Sequence, residues 1–198
     1  MKNILFTSFF LFVFLNNSNA QDLFDEKDNF TAQDTLRGSI TPERIWWDLT
    51  YYHLELKVMP DQKFISGKNT IKYKVLKEYQ SLQIDLQTPL QITKVTQYGQ
   101  ELEVIHNGNA HFVQLAKKQN IGKTETIVVY YEGYPKEAIR APWDGGFSWK
   151  KDKNGNHFVA TSCQGLGASV WWPCKDHMYD EVENMRISVT VPNNLIDI

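Results

Sequence analysis

Tyr52, Leu54, Leu56 and Val58 share one parity of the chain, while His53, Glu55 and Lys57 take the other. Successive side chains of a strand point to opposite faces, so this run can bury one face of a sheet and wet the other. Wound into a helix, the same apolar residues would scatter around the axis. The alternation returns at Ile71, Tyr73 and Val75 against Lys72 and Lys74, and at Ile187, Val189 and Val191 against Arg186, Ser188 and Thr190. Between them lie short runs rich in β-branched and aromatic residues, at 82–86, 102–105, 111–115 and 126–131. Turn residues punctuate these runs: Pro60-Asp61, Tyr98-Gly99, Asn107-Gly108-Asn109 and Ile121-Gly122. Asn154-Gly155, between Phe147-Ser148-Trp149 and Phe158-Val159-Ala160, is the strongest hairpin signal. No segment carries a 3.6-residue period over ten or more positions. The expectation is an all-β domain of short antiparallel strands, a sandwich or a saddle-shaped curved sheet.

Three segments differ in composition. Residues 1–20 read as a signal peptide, with Lys2 at its positive end, an apolar stretch from Ile4 to Leu15, and Ser18-Asn19-Ala20 as a cleavage site. The apolar stretch is too short for a stable membrane span, which takes about 20 residues, and a retained N-terminal anchor is the alternative. Residues 21–45 form a polar, acidic arm, ordered where it touches something else. Residues 46–198 form the β domain, whose ordered core is foreshadowed by the chain's 13% aromatic content. The expected location is outside the cytoplasm, periplasmic or extracellular. A net charge of -2 gives no basic surface for nucleic acid.

The side chains that carry chemistry are sparse. The five histidines are scattered with no HExxH and no close ligand pair, and no Gly-x-Ser-x-Gly elbow or phosphate-cradling loop is present. Asp176, Asp180, Glu181 and Glu183 cluster without the spacing of a calcium loop and read as a solvated acidic turn. Cys163 and Cys174 are either a disulfide in an oxidising compartment or two thiols acting as small apolar groups. No catalytic residue and no metal ligand is expected from this chain.

The order of the segments carries more. Trp47-Asp48-Leu49-Thr50-Tyr51-Tyr52-His53-Leu54-Glu55-Leu56 is followed by Phe64-Ile65-Ser66-Gly67-Lys68-Asn69-Thr70-Ile71, then by Val129-Tyr130-Tyr131-Glu132-Gly133 and Gly146-Phe147-Ser148. Cys163-Gln164, Pro173-Cys174-Lys175-Asp176 and Ile187-Ser188-Val189-Thr190-Val191-Pro192 close the series. It resembles the N-terminal domain of the aminopeptidase N family of zinc metallopeptidases, the M1 group, over residues 46–198. The resemblance implies peptide substrates and a zinc ion held by HExxH and a downstream Glu in a second domain that lies beyond Ile198. That catalytic domain is the implied partner of this one. The resemblance also makes Gln164, with the adjoining Gly165, the substrate-binding position that holds the free α-amine. Gly165, Gly167, Ala168 and Ser169 stand where the family has bulkier or charged residues, and the family's Pro soon after Asp176 is replaced by His177-Met178-Tyr179. On this reading the fragment alone is inactive.

A second reading makes the chain a stand-alone secreted β-sandwich that binds protein or carbohydrate through exposed Trp46, Trp47, Trp171 and Trp172. The same residues could equally be core, or a face that docks onto another domain.

Overall fold

The computed structural model describes residues 30–196, so the signal-peptide segment lies outside the described residues. The unit from Thr31 onward begins with two short helices, α1 (Ala32–Gly38) and α2 (Pro42–Ile45). Ten strands follow: β1 (Trp47–Met59), β2 (Phe64–Val75), β3 (Ser81–Asp85), β4 (Gln91–Gln97), β5 (Gln100–Asn107), β6 (Ala110–Gln114), β7 (Thr124–Gly133), β8 (Gly146–Lys151), β9 (His157–Ser162) and β10 (Asn184–Thr190). Eight of them form one sheet in the order β10-β1-β2-β7-β4-β5-β6-β3, which curls into half a barrel. The remaining pair, β8 and β9, is the hairpin around Asn154-Gly155. The fold is therefore all-β, antiparallel except that β10 runs parallel to β1.

The alternation translates into burial with two instructive shifts. Along β1, Trp47 and Leu49 are buried at odd positions, while Tyr52, Leu54 and Leu56 are buried at even ones. A register shift between Leu49 and Tyr51 inserts one residue, and that insertion moves both sets onto the same inner face. A second shift, between Ile92 and Lys94, hides β4 from any reading by parity, because its inward residues Ile92 and Val95 stand three apart.

The core is aromatic at its centre. Trp46 and Trp47 both meet Tyr73 edge to face, at 5.7 and 5.6 Å between ring centroids. Their ring nitrogens donate to the carbonyls of Ser81 and Glu43. Trp172 packs edge-on against Tyr52 at 4.9 Å. Trp46, Trp47 and Trp172 are buried and Trp171 is half-buried, which removes the tryptophan surface required by the stand-alone binding reading. Rings this large lose most contact area and therefore most free energy when left in water, so the core claims them.

Of the polar arm, residues 21–29 lie outside the described residues, and residues 31–45 are fastened down. Arg44 in α2 is fully buried, and its Nη1 donates to the carbonyls of Leu36, Arg37 and Ser39 at 2.8–2.9 Å. Its Nη2 lies 2.5 Å from the Asp85 carboxylate at the end of β3. A guanidinium has enough donors in one plane to serve the open C-terminal carbonyls of α1 and a buried carboxylate together.

One expected burial does not occur. Ile187 on β10 is 53% exposed, and Val189 and Val191 are only half-buried. Together with Leu56, Phe147 and Trp171 they line a largely apolar groove of about 570 Å³ between the sheet edge and the β8–β9 hairpin. β10 is an edge strand, and its apolar parity is covered only in part: Val189 and Val191 pack against the core from one side while Ile187 stays exposed.

Candidate functional site

β9 ends at Ser162 and the chain enters a tight turn in which the amides of Leu166 and Gly167 both donate to the Cys163 carbonyl, at 3.2 and 3.0 Å. Gly165 has φ +70° and Gly167 φ +76°, the left-handed region where a side chain is strained. At Gly167 a Cβ would also sit 2.5 Å from the Asp176 carboxylate oxygens, so the turn closes only with glycine there. A 3-10 turn over Ala168–Val170 leads to Trp171 and Trp172.

The second half of the loop is clamped to the sheet. Cys174 and Asp85 exchange backbone hydrogen bonds at 2.8 and 3.1 Å. Asn69 Nδ2 donates to the Pro173 carbonyl, and the Lys175 amide donates to the Tyr52 hydroxyl. Asp85 accepts in addition from the Asp176 amide. From the neighbouring turn, Gln87 Nε2 donates to the Leu166 carbonyl at 2.6 Å and to Ser169 Oγ at 2.9 Å, and Ser169 Oγ donates to Asp176 at 2.5 Å. These bonds fix the loop on both flanks, at 166–172 and 173–176, without any ligand, and among the described residues they leave the Gln164–Gly165 tip with no backbone–backbone hydrogen bond.

Gln164 is the exception. It sits at the exposed tip of the turn beside exposed Gly165, and among the described residues no hydrogen bond engages its amide. A preorganised loop presenting one unpaired carboxamide can accept a hydrogen bond from a cation and donate one to a carbonyl.

Cys163 and Cys174 are free thiols. Burial pushes both thiols up, Cys174 well above the ordinary range with Asp176 and Asp85 adding to the effect, so both stay protonated and weakly nucleophilic. The acidic cluster needs correction. Asp180 pairs with Lys175, whose side chain is fully buried, donates to the Trp47 carbonyl at 2.7 Å and lies 4.0 Å over the Trp47 ring. Burial brings Lys175 down to about 8, with Asp180 opposing. Asp176 is held by Ser169, and only Glu181 and Glu183 are exposed in the manner of a solvated turn.

The histidines also need correction. His106 and His111, paired across the β5–β6 hairpin, approach at 2.7 Å between their Nδ1 atoms. The signal was present in Asn107-Gly108-Asn109: a turn there makes the two flanking histidines cross-strand partners. His111 is buried with Nε2 on the Leu86 carbonyl, and burial holds it below the ordinary 6.5, the Leu86 bond opposing. A histidine whose folded value is depressed supports folding above about 6.5, and that support is lost as pH falls through the folded value. His111→Gln should therefore flatten the acid side of the stability profile below about pH 6.5, read by urea unfolding at each pH.

A catalytic zinc takes three protein donors and a water. Among the described residues no three His, Cys, Asp or Glu side chains converge, and the residues present do not fit such a centre.

The peptidase M1 N-terminal domain family matches residues 49–195. An M1 zinc metallopeptidase from Deinococcus radiodurans superposes with TM-score 0.57 at 22% identity, over 74% of this chain and 33% of that one. A mutant of that enzyme bound to a Tyr-Ser-Ala substrate gives TM-score 0.61 at 21% identity, over 79% and 35%. Native LTA4 hydrolase from yeast gives 0.60 at 17% identity, over 82% and 27%. At these identities the likeness is one of fold. The chain spans about a third of the length of these solved structures. No curated protein matches it.

Proposed function

The chain belongs to the peptidase M1 N-terminal domain family, and from that premise we propose that it is the substrate-cleft domain of an exported zinc-dependent aminopeptidase. In this reading residues 46–198 are the β domain, residues 1–20 the export signal, and the zinc ligands belong to a domain downstream. The bound zinc would supply the hydrolytic chemistry; this chain supplies orientation. Gln164 Oε1 accepts a hydrogen bond from the α-ammonium of a peptide, and the clamped loop sets how far the first peptide bond stands from that anchor. Gly165 leaves room at the tip, where an added Cβ would meet nothing within 4 Å.

The observation that carries the reading is the contrast within the loop: a backbone fixed from both sides, and one exposed carboxamide left unpaired at its tip. Two further facts support it. The chain covers between about a quarter and a third of these solved structures, and the apolar groove beside β10 is a fitting seat for a further domain. The peptide bound in one of those relatives supports a peptide substrate here. Among the described residues no helix is long and apolar enough to cross a membrane.

The test compares the complete gene product with residues 21–198 alone on an aminoacyl-p-nitroanilide and on its N-acetylated form. Chelator-sensitive release from the free-amine substrate by the complete protein alone is expected. Turnover by residues 21–198, or equal turnover of the acetylated substrate, contradicts the assignment.

A further inference from the structure

The segment that carries α1 and α2 lies before residue 49, where the family match begins, yet it touches the Gln164 loop at several points. Arg37, in the last turn of α1, places Nη1 3.5 Å from the Gly165 carbonyl and Nε 3.6 Å from the Asp176 carboxylate. His177 Nε2 lies 3.0 Å from the Gly38 carbonyl, and Tyr179 donates from its hydroxyl to the Arg44 carbonyl at 2.7 Å. Thus both arms of the loop, at 165 and at 176–179, meet the same short segment.

That segment is itself immobilised. Thr31 and Asp34 form a reciprocal cap at the start of α1. Gln33 crosses to the β5–β6 turn, where Nε2 donates to the Asn107 carbonyl and Oε1 accepts from the Asn109 amide at 2.9 Å. At the other end Arg44 holds the carbonyl of Arg37 itself and is tied to Asp85, the residue that clamps Cys174 and Asp176. A cavity of about 220 Å³ separates α1 from the loop, walled by Gln33, Arg37, Gln87 and Leu166, so Arg37 spans a gap that close packing does not fill.

We propose that α1 is a positioning element for the Gln164–Gly165 turn, with Arg37 as the positioning residue acting through Gly165 and Asp176. The proposal rests on the reading of Gln164 as the amine contact. Its physical basis is the freedom of the turn: two glycines at positive φ permit several tip geometries, and an external donor on the Gly165 carbonyl selects one. Arg37 is half exposed and its contacts are long, so its hold is largely electrostatic and weakens with salt.

Hydrogen exchange of the full-length protein tests this without reference to activity. Arg37→Gln should speed exchange of the peptide spanning 163–167 by about tenfold while β1 and β2 keep their protection, and Arg37→Lys should retain most of the protection. Unchanged exchange at 163–167, or a rise shared equally by β1 and β2, overturns the proposal. In the complete enzyme Arg37→Gln should raise KM for a free-amine substrate about three- to tenfold with kcat nearly constant, and add nothing in a Gln164→Ala background. A KM effect of undiminished size in that background also overturns it. If Gln164→Ala alone leaves kinetics unaltered, the amine-contact reading fails, while exchange at 163–167 still decides the role of Arg37.

Discussion

Replacing Arg44 by Leu is expected to cost about 3–5 kcal/mol of folding stability, read as a lowered urea midpoint at unchanged slope. The substitution strands a 3%-exposed carboxylate at Asp85 and leaves the carbonyls of Leu36, Arg37 and Ser39 without their shared donor. Burial already raises Asp85, and the Arg44 charge is the first of the forces opposing it. Without that charge the folded-state value rises further. A carboxyl whose folded value exceeds its unfolded value supports folding below the unfolded value and loses that support as pH rises. The deficit of Arg44→Leu should therefore be largest near neutrality and shrink as pH falls toward about 4, the unfolded aspartate range. Arg44→Lys should recover only part of the loss, because one ammonium cannot serve three carbonyls and a carboxylate from a single plane. A deficit that grows on acidification would place the stabilisation elsewhere.

This expectation concerns a residue that nothing local in the sequence marks. Arg44 lies in a polar run, and its value comes from Asp85, 41 positions away. Lys175 is similar: within Pro173-Cys174-Lys175-Asp176 it looks like a surface charge, yet Trp47, 128 positions earlier, accepts its hydrogen bond. Buried ions are legible only when long-range partners are known, because the same side chain alone would stay in water. The strands were legible wherever parity is unbroken, as at 52–58 and 71–75. β4 was hidden because the irregularity at Ile92–Lys94 breaks the period of two. The buried face expected for β10 follows the correct parity but is only half covered, since an edge strand needs a further neighbour to complete it.

The loop was readable in part. Gly165 and Gly167, which in the sequence stand out only as a departure from the family's bulkier residues, are the two positive-φ positions on which the turn closes. The order of segments pointed to Gln164. No sequence signal pointed to Arg37, whose contacts lie 128 and 139 positions away, at Gly165 and Asp176.

The most direct measurement is the kinetics of Gln164→Ala in the complete gene product, on paired substrates with and without the α-amino group. A hydrogen bond to a charged partner contributes about 1.5–3 kcal/mol, so kcat/KM for the free-amine substrate should fall about 10–100-fold. The des-amino analogue, already slow, should not respond, and Gln164→Glu, which keeps an acceptor oxygen, should retain amine discrimination. Equal losses on both substrates, or no loss on either, would mean that the tip of this loop does not hold the amine.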